Sequence, residues 1–468
     1  MKYGVVDVGS SGVKLSIYDE ELRLLHTERT AISSAQPGGL SEYNAKELAQ
    51  IVLHYLRRLG ELGVRLAGMA TFRASVLAWS RDGEPLTPLI SWLDERGKAF
   101  LNRFPYSALR HLPLLSKVLR PDSPAVKIAW LLQSRPSLAE RVRKGEAYVG
   151  TLSSYLAYLL SKRYVNDVTN ETLTALVHPK TLRKLEIVYR LLHIPLEVGA
   201  EVVDNASYIG SYGGIEVSSL IADQQASILG SSCVRLDCIK LTAGTGTFVD
   251  AVVEDFMVPP GRLIPLVAFS VKGNSVYAVE GYTAGAAVVD WMARVSIVES
   301  VELLEGAASR AERSVVFIPS LSPIPLPARR EGGTGLLYGL SLSHGREDIA
   351  RGVLEGLVLS AAEVIGIVEE AAGKRLYVRA DGGLSKSTLY LKLLASASGR
   401  RLERVRSSYA AGRGVAALLA IYSGAMKLQD IERSDVDFTA EPGEERIKVD
   451  VKVWREHLKW GWRSSLGK

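Results

Sequence analysis

The sequence predicts an α/β protein built from two copies of one domain, and three observations carry that prediction. Strand-like runs alternate with helical ones and end in glycine-rich loops, the pattern of a sheet with helices packed on it. Two short segments look like copies of each other: Tyr3–Asp19, holding Gly9-Ser10-Ser11-Gly12, and Cys238–Asp250, holding Gly244-Thr245-Gly246. Gly9 and Gly244 lie 235 positions apart, about half of a 468-residue chain that is long enough for two or three domains, each burying its own core.

Each copied segment is an apolar strand, a turn of glycine and small hydroxyl residues, and a second apolar strand, which reads as a β-hairpin. Glycines let backbone approach a ligand closely, and turn N–H groups together with Ser and Thr hydroxyls can donate to phosphate oxygens. One such hairpin per copy would clamp a nucleotide between the two halves.

After the first hairpin the pattern gives a strand at Leu24–Thr30 and an amphipathic helix from Ala45 to about Leu62. Strands follow at Leu66–Thr71 and Val76–Trp79, flanking Phe72-Arg73-Ala74-Ser75, and Asp82-Gly83 signals a turn. Residues 95–165 read mostly helical, most clearly at Val126–Gln133 and Tyr155–Leu160. Gly213-Gly214 and the run Ser218–Ile221 then lead to Ala222-Asp223-Gln224-Gln225 at a helix start. From Cys238 the pattern repeats: hairpin, strands Leu266–Val271 and Ser275–Val279, a helix from Thr283, and a long apolar helix from Asp348 to about Glu370. A strand at Arg375–Ala380 ends in Asp381-Gly382-Gly383 before another helix. The expected division is residues 1–230, 231–450 and a C-terminal tail, 451–468.

Composition is that of a soluble globular protein, 47% hydrophobic and 23% charged. The chain opens directly on a strand, with no signal-peptide pattern, and no apolar run is long enough to span a membrane, so a cytoplasmic protein is expected. Cys233 and Cys238 match neither a redox CxxC nor a zinc spacing and read as buried free thiols. The net charge of +6 is scattered, and the basic run Arg400–Arg406 contains an acid, so it reads as a solvated edge and no nucleic-acid partner is expected. Six Asn and six Gln are few, and this scarcity of thermolabile amides points to a hot habitat.

No GxxxxGK[ST] loop occurs, and Gly244-Thr245-Gly246 lacks the third glycine of a dinucleotide fingerprint. A nucleotide would therefore be held by the paired hairpins. Asp7, at the end of an apolar strand, could face Mg²⁺ through water or make an Asx-type turn contact. Lys14 could neutralise phosphate or simply snorkel. Asp223 is the strongest general-base candidate; a helix N-cap is the compatible alternative. Asp381-Gly382-Gly383 could let a nucleoside lie against backbone or form a plain αL turn, and Trp92 could wall a pocket or belong to the core.

Taken in order, these segments resemble the FGGY family of carbohydrate kinases, most closely its glycerol kinase branch, from Gly4 to about Gly424. The resemblance implies two actin-like (ribonuclease H-like) domains with a nucleotide cleft between them, and ATP and Mg²⁺ as cofactors. It implies Asp7 near the metal, Ser10, Ser11 and Lys14 beside Gly9 near the β- and γ-phosphates, and Gly244 and Thr245 on the nucleotide phosphates. Gly382 and Gly383 belong to the implied adenosine motif, where Ser387 replaces an adenine-contacting asparagine. Asp223 is the implied base. Pro124, Lys127 and Trp130 fit the family's first signature, and Tyr338–Glu355 its second.

Of the residues that hold glycerol in that branch, this chain has Arg73, Trp92, Asp223, Gln224 and Phe248 at matching places. Ala74 stands where the branch has a glutamate, and the tyrosine position falls near Asp122. Losing a carboxylate that accepts bonds from hydroxyls removes a contact worth ~1.5–3 kcal/mol, enough to change which polyol is preferred. The acceptor would be glycerol or a related polyol or sugar, with a pentose, another sugar or a cyclitol as alternatives, and a homodimer as a possible assembly. An actin-like ATPase without sugar kinase activity is the alternative from another class.

Overall fold

The computed structural model describes the chain outside residues 36–39, 95, 104, 113–114, 260, 262, 299–300, 322–334, 407–409, 432–435 and 461–468. Two twisted sheets organise it. The first contains β1 (Tyr3–Gly9), β2 (Gly12–Tyr18), β3 (Leu24–Ala31), β4 (Leu66–Thr71), β5 (Gly210–Tyr212) and β6 (Ile215–Ala222), in the order β5-β6-β4-β1-β2-β3. The second contains β7 (Cys238–Ala243), β8 (Gly246–Val253), β9 (Ile264–Val271), β10 (Asn274–Ala284), β11 (Tyr377–Asp381), β12 (Leu402–Val405) and β13 (Val436–Ala440), in the order β9-β10-β8-β7-β11-β12-β13.

The duplication is visible in the pairing. Each sheet opens with an antiparallel hairpin, β1–β2 or β7–β8, continued on one side by an antiparallel third strand, β3 or β10. On the other side each first strand takes two parallel neighbours in turn, β4 then β6, and β11 then β12. Parallel neighbours need helical crossovers, which is why helices cover the sheets. Helix α1 (Ala45–Glu61) begins where Asn44 accepts from the Lys46 and Glu47 N–H groups and buries Leu48, Val52, Tyr55, Leu56 and Leu59 on the first sheet. Helix α2 (Leu115–Val118), α3 (Pro124–Ser134) and α4 (Val168–Leu173) lie between β4 and β5 in the chain. Helix α5 (Asp223–Gly230) follows β6 directly.

In the second half the long α6 (Arg346–Ala372) packs on the sheet, and α7 (Thr388–Ser398) is N-capped by Ser387. Helix α8 (Ala410–Tyr422) crosses back to α5 and the first sheet; a Cβ on Gly414 would stand 1.9 Å from the Ala226 carbonyl, so only glycine permits this approach. The two helices share a buried cluster with Tyr3, Val5 and Ala70 of the first sheet and Leu266, Ala268 and Phe269 of the second. The stretch expected as a tail begins as helix α9 (Val451–Trp460), whose Trp454 is buried and donates to the Phe317 carbonyl.

Three local expectations change. Cys233 and Cys238 are bonded to each other: Ser232 takes a left-handed turn (φ 59°) after α5, which brings the first residue of β7 opposite Cys233 at a Cα separation of 5.6 Å. The basic run lies in β12, which is flanked by β11 and β13 rather than at the edge, and Arg400, Arg401 and Arg404 pair with Glu369, Glu403, Glu441 and Asp437. The region 95–165 also contains a strand, Ala147–Gly150, paired to Leu77–Ser80, because Val149 and Ala147 bury one face of a short alternating run.

Candidate active site

A cavity of about 990 Å³ opens between the two sheets, and most of the candidate residues line it. From the first sheet come Asp7, Gly9, Ser10, Ser11 and Lys14 of the β1–β2 hairpin, with Arg73 after β4 and Asp223 and Gln224 after β6. From the second come Gly244, Thr245 and Phe248 of the β7–β8 hairpin, and Gly382 after β11. Trp92 and Asp122 complete the set. Gly383 and Ser387 are not on its wall. The Ser387 side chain instead accepts from the Tyr390 N–H as the cap of α7.

The hairpins are held from behind. Tyr43 donates to the Ser10 carbonyl, and Arg29 donates to the carbonyl and hydroxyl of Ser11. The second turn is pinned by the Ala286 N–H donating to Gly244 O at 2.7 Å and the Ala287 N–H to Thr245 O at 3.2 Å. Gly382 has φ +93° and lies so close to Ala243 that a Cβ would stand 2.6 Å from its carbonyl oxygen, which brings the β11 loop onto this hairpin. The Asp7 carboxylate is 3.6 Å from Lys14 Nζ, its register partner across the hairpin; burial pushes it up and Lys14 opposes this.

Asp223 is the first residue of α5, with Ala222 at the N-cap, so its side chain is not the cap. Its Oδ1 accepts from the Gln224 N–H at 2.8 Å. The Ala222 N–H is in turn fixed by Thr169 Oγ1 at 2.9 Å, on a helix capped by Asp167. Burial raises the Asp223 carboxyl to about 6, Arg73 pulls it down, and Asp7 raises it further. A carboxylate in that range can accept a proton near neutral pH.

Arg73 is the centre of a cross-sheet ion network. It binds Glu280 of β10, donates to Gln225 Oε1 at 3.3 Å, and lies 5.4 Å from the Phe248 ring centroid. Fully buried Lys240 of β7 joins Asp250 Oδ2 at 2.9 Å and Gln224 Oε1 at 2.6 Å, tying the second hairpin to α5. Trp92 and Phe248 pack edge to face at 6.0 Å, and Phe248 stacks on Tyr282 at 5.9 Å.

Ala74 takes a left-handed conformation, φ 56°, and its carbonyl accepts from buried Lys127, which also binds the Ser91 and Trp92 carbonyls. Burial lowers this ammonium to about 8. Asp122 is held by Arg120, with Tyr282 Oη 3.5 Å away, so it stands in the cavity as half of an ion pair rather than as a lone acceptor. Glu280, Tyr282, Arg120 and Lys240 were not among the sequence candidates. Glu280 directly follows the strand expected at Ser275–Val279, and nothing in strand alternation shows that β10 lies across the cleft from Arg73.

Asp381 Oδ1 is buried against the cavity with no hydrogen-bond partner among the described residues, and Asp7 faces the same space. Two carboxylates beside the two glycine turns fit Mg²⁺, which takes one or two carboxylates and completes its shell with water and phosphate. Among the described residues no cluster of three or more His, Cys, Asp or Glu forms a dedicated metal cage.

Residues 2–230 match the N-terminal domain and residues 239–423 the C-terminal domain of the FGGY family of carbohydrate kinases. The chain belongs to that family. It is therefore a phosphotransferase with an alcohol group as acceptor. A glycerol kinase of Thermus brockianus is 30% identical, with 99% of each chain covered. An uncharacterized sugar kinase of Archaeoglobus fulgidus is 28% identical, over 86% of this chain and 88% of its own. Among solved structures, Plasmodium falciparum glycerol kinase with ADP superposes with a TM-score of 0.84 at 21% identity, covering 99% of this chain and 97% of that one. Xylulose kinase of Lactobacillus acidophilus gives 0.82 at 18% identity, over 99% and 98%. Among the described residues no helix is long and apolar enough to cross a membrane.

Proposed function

We propose that this carbohydrate kinase transfers the γ-phosphoryl group of ATP to a hydroxyl of glycerol or a related polyol or sugar, with Asp223 as general base. The observation that carries the reading is the position of Asp223, raised to about 6 and lining one cavity with both hairpins. Its carboxylate takes the proton of the attacking hydroxyl. Gly9, Ser10, Ser11, Gly244 and Thr245 donate to phosphate oxygens, Lys14 neutralises charge, and Gly382-Gly383 back the nucleoside. Mg²⁺, held at Asp7, would supply charge neutralisation on the phosphates. Arg73, Trp92, Gln224 and Phe248 orient the acceptor and exclude water. A kinase that draws on ATP is expected to work in the cytoplasm.

One observation favours an acceptor other than glycerol itself. The carboxylate missing at Ala74 is not restored on the first sheet; the one on Arg73 is Glu280, from β10, and Arg120–Asp122–Tyr282 forms a second polar wall. Ala74 fills less of the cavity than a glutamate would, and the two pairs give it a different set of donors and acceptors. A coupled ADP-release assay across glycerol, pentoses, hexoses and cyclitols tests the reading. Acceptor-dependent release with at least one of these is expected; nucleotide hydrolysis indifferent to every acceptor would overturn it.

A further inference from the structure

The cavity is larger than the polar site needs. Beyond Arg73–Glu280 and Arg120–Asp122 it continues between α2 and β9, where Leu115, Val118 and Ile264 form apolar walls. The continuity is set by register: Ile264 is the partner of Glu280 across β9–β10, and Leu115 and Val118 flank Lys117, a few residues before Arg120. Lys117 donates to the Gly261 and Leu263 carbonyls at 2.7 and 2.8 Å, so this lobe is bridged between the two halves instead of lying open. At its mouth stand three large apolar side chains with substantial exposure: Leu112 at 51%, Ile187 at 69% and Val258 at 44%. Apolar side chains that line one pocket around a few convergent polar groups mark a binding site for a ligand with an apolar group.

We propose that the acceptor carries an apolar substituent, an alkyl or aryl group, that runs from the polar pocket through this lobe to the lip formed by Leu112, Ile187 and Val258. The proposal rests on the kinase reading above for the polar end of the ligand. The hydroxylated end lies against Arg73, Trp92 and Asp223, and the substituent replaces water along Leu115, Val118 and Ile264. A bare triol fills only the polar end and leaves the lobe wet. Ala74 lines the same cavity as Ile264 and Glu280, and its methyl group takes up less of that space than a side-chain carboxylate on residue 74 would.

Two homologous series test it: 1-O-alkylglycerols and alkyl β-D-glucopyranosides from methyl to hexyl, kept below micelle formation. Binding is measured by titration calorimetry with and without ADP, and phosphorylation by ADP release. Affinity in at least one series is expected to rise about fourfold per methylene, at least a hundredfold by hexyl, with a heat-capacity change that grows more negative with chain length. Ile187→Asp and Val258→Asp should each lower the hexyl-to-parent affinity ratio at least tenfold. Leu25→Asp, an equally exposed change on β3 away from the cavity, should leave that ratio as it is. Affinity that grows with the chain without phosphorylation would support the apolar lobe and refute the kinase reading of its polar end. Phosphorylation of the parent polyol or sugar with no gain from the chain would overturn the proposal and leave the kinase reading standing. No binding in either series would overturn the proposal as well.

Discussion

At the scale of single residues, the proposed base Asp223 carries a cost in stability. Its folded carboxyl, at about 6, lies above its ordinary 3.8, so the native state binds the extra proton between those values. Stability from this group therefore falls as pH rises through that window and stays lower at neutral pH. Asp223→Asn should raise neutral-pH stability by about 1–3 kcal/mol, read from a urea melt, while lowering kcat by ~10²–10⁴. In the wild type, kcat/KM for the acceptor should fall tenfold per unit below pH about 6, where the base is protonated. Arg73 makes the opposite contribution. Replacing it with alanine leaves Glu280 buried without its cation, which costs about 3–5 kcal/mol and should raise the acceptor KM; Glu280→Gln, which keeps a hydrogen-bond acceptor, should be milder in the same urea melt.

At the scale of elements, the two glycine hairpins were legible in the sequence because their information is local. An apolar strand, a glycine turn and a second strand specify a hairpin within about fifteen residues. Helix α1 was legible for the same reason, its Asn44 cap and apolar face both lying in one continuous stretch. What crosses the cleft was not. Glu280 reaches Arg73 because β10 lies beside β8, and Lys240 reaches Gln224 because β7 runs past α5; strand alternation reports only which face is buried. Ser387 shows the same limit from the other side, since its place in the sequence suggests a base contact while its geometry makes it a helix cap. The hairpins also allow a direct test. Gly382→Ala forces a Cβ into the Ala243 backbone at a φ that only glycine adopts freely. It should weaken nucleotide binding at least tenfold in a fluorescence titration while acceptor binding is kept.

At the scale of the molecule, the two sheets are joined by the shared α5–α8 cluster, by the Lys117 bridge, and by a disulfide at the linker between them. The bond closes a short loop, for which chain entropy predicts about 2 kcal/mol. Reduction, or Cys233→Ser, should lower the urea midpoint accordingly without changing the order of acceptor preference in the ADP-release assay. Such a bond in a chain expected in the cytoplasm matches the disulfide use of intracellular proteins from hyperthermophiles, and the scarcity of Asn and Gln points the same way. Asp223 and Gln224 come from the first half and Gly244, Thr245 and Phe248 from the second, so the proposed site draws on both walls of one cavity. The most direct test is the chemical step itself, followed by rapid-quench single turnover with saturating ATP–Mg²⁺ and the best acceptor of the panel. In Asp223→Asn the transfer rate should fall at least a hundredfold while ATP affinity stays within about threefold. An unchanged transfer rate in that variant would contradict Asp223 as the base and with it the account of this site.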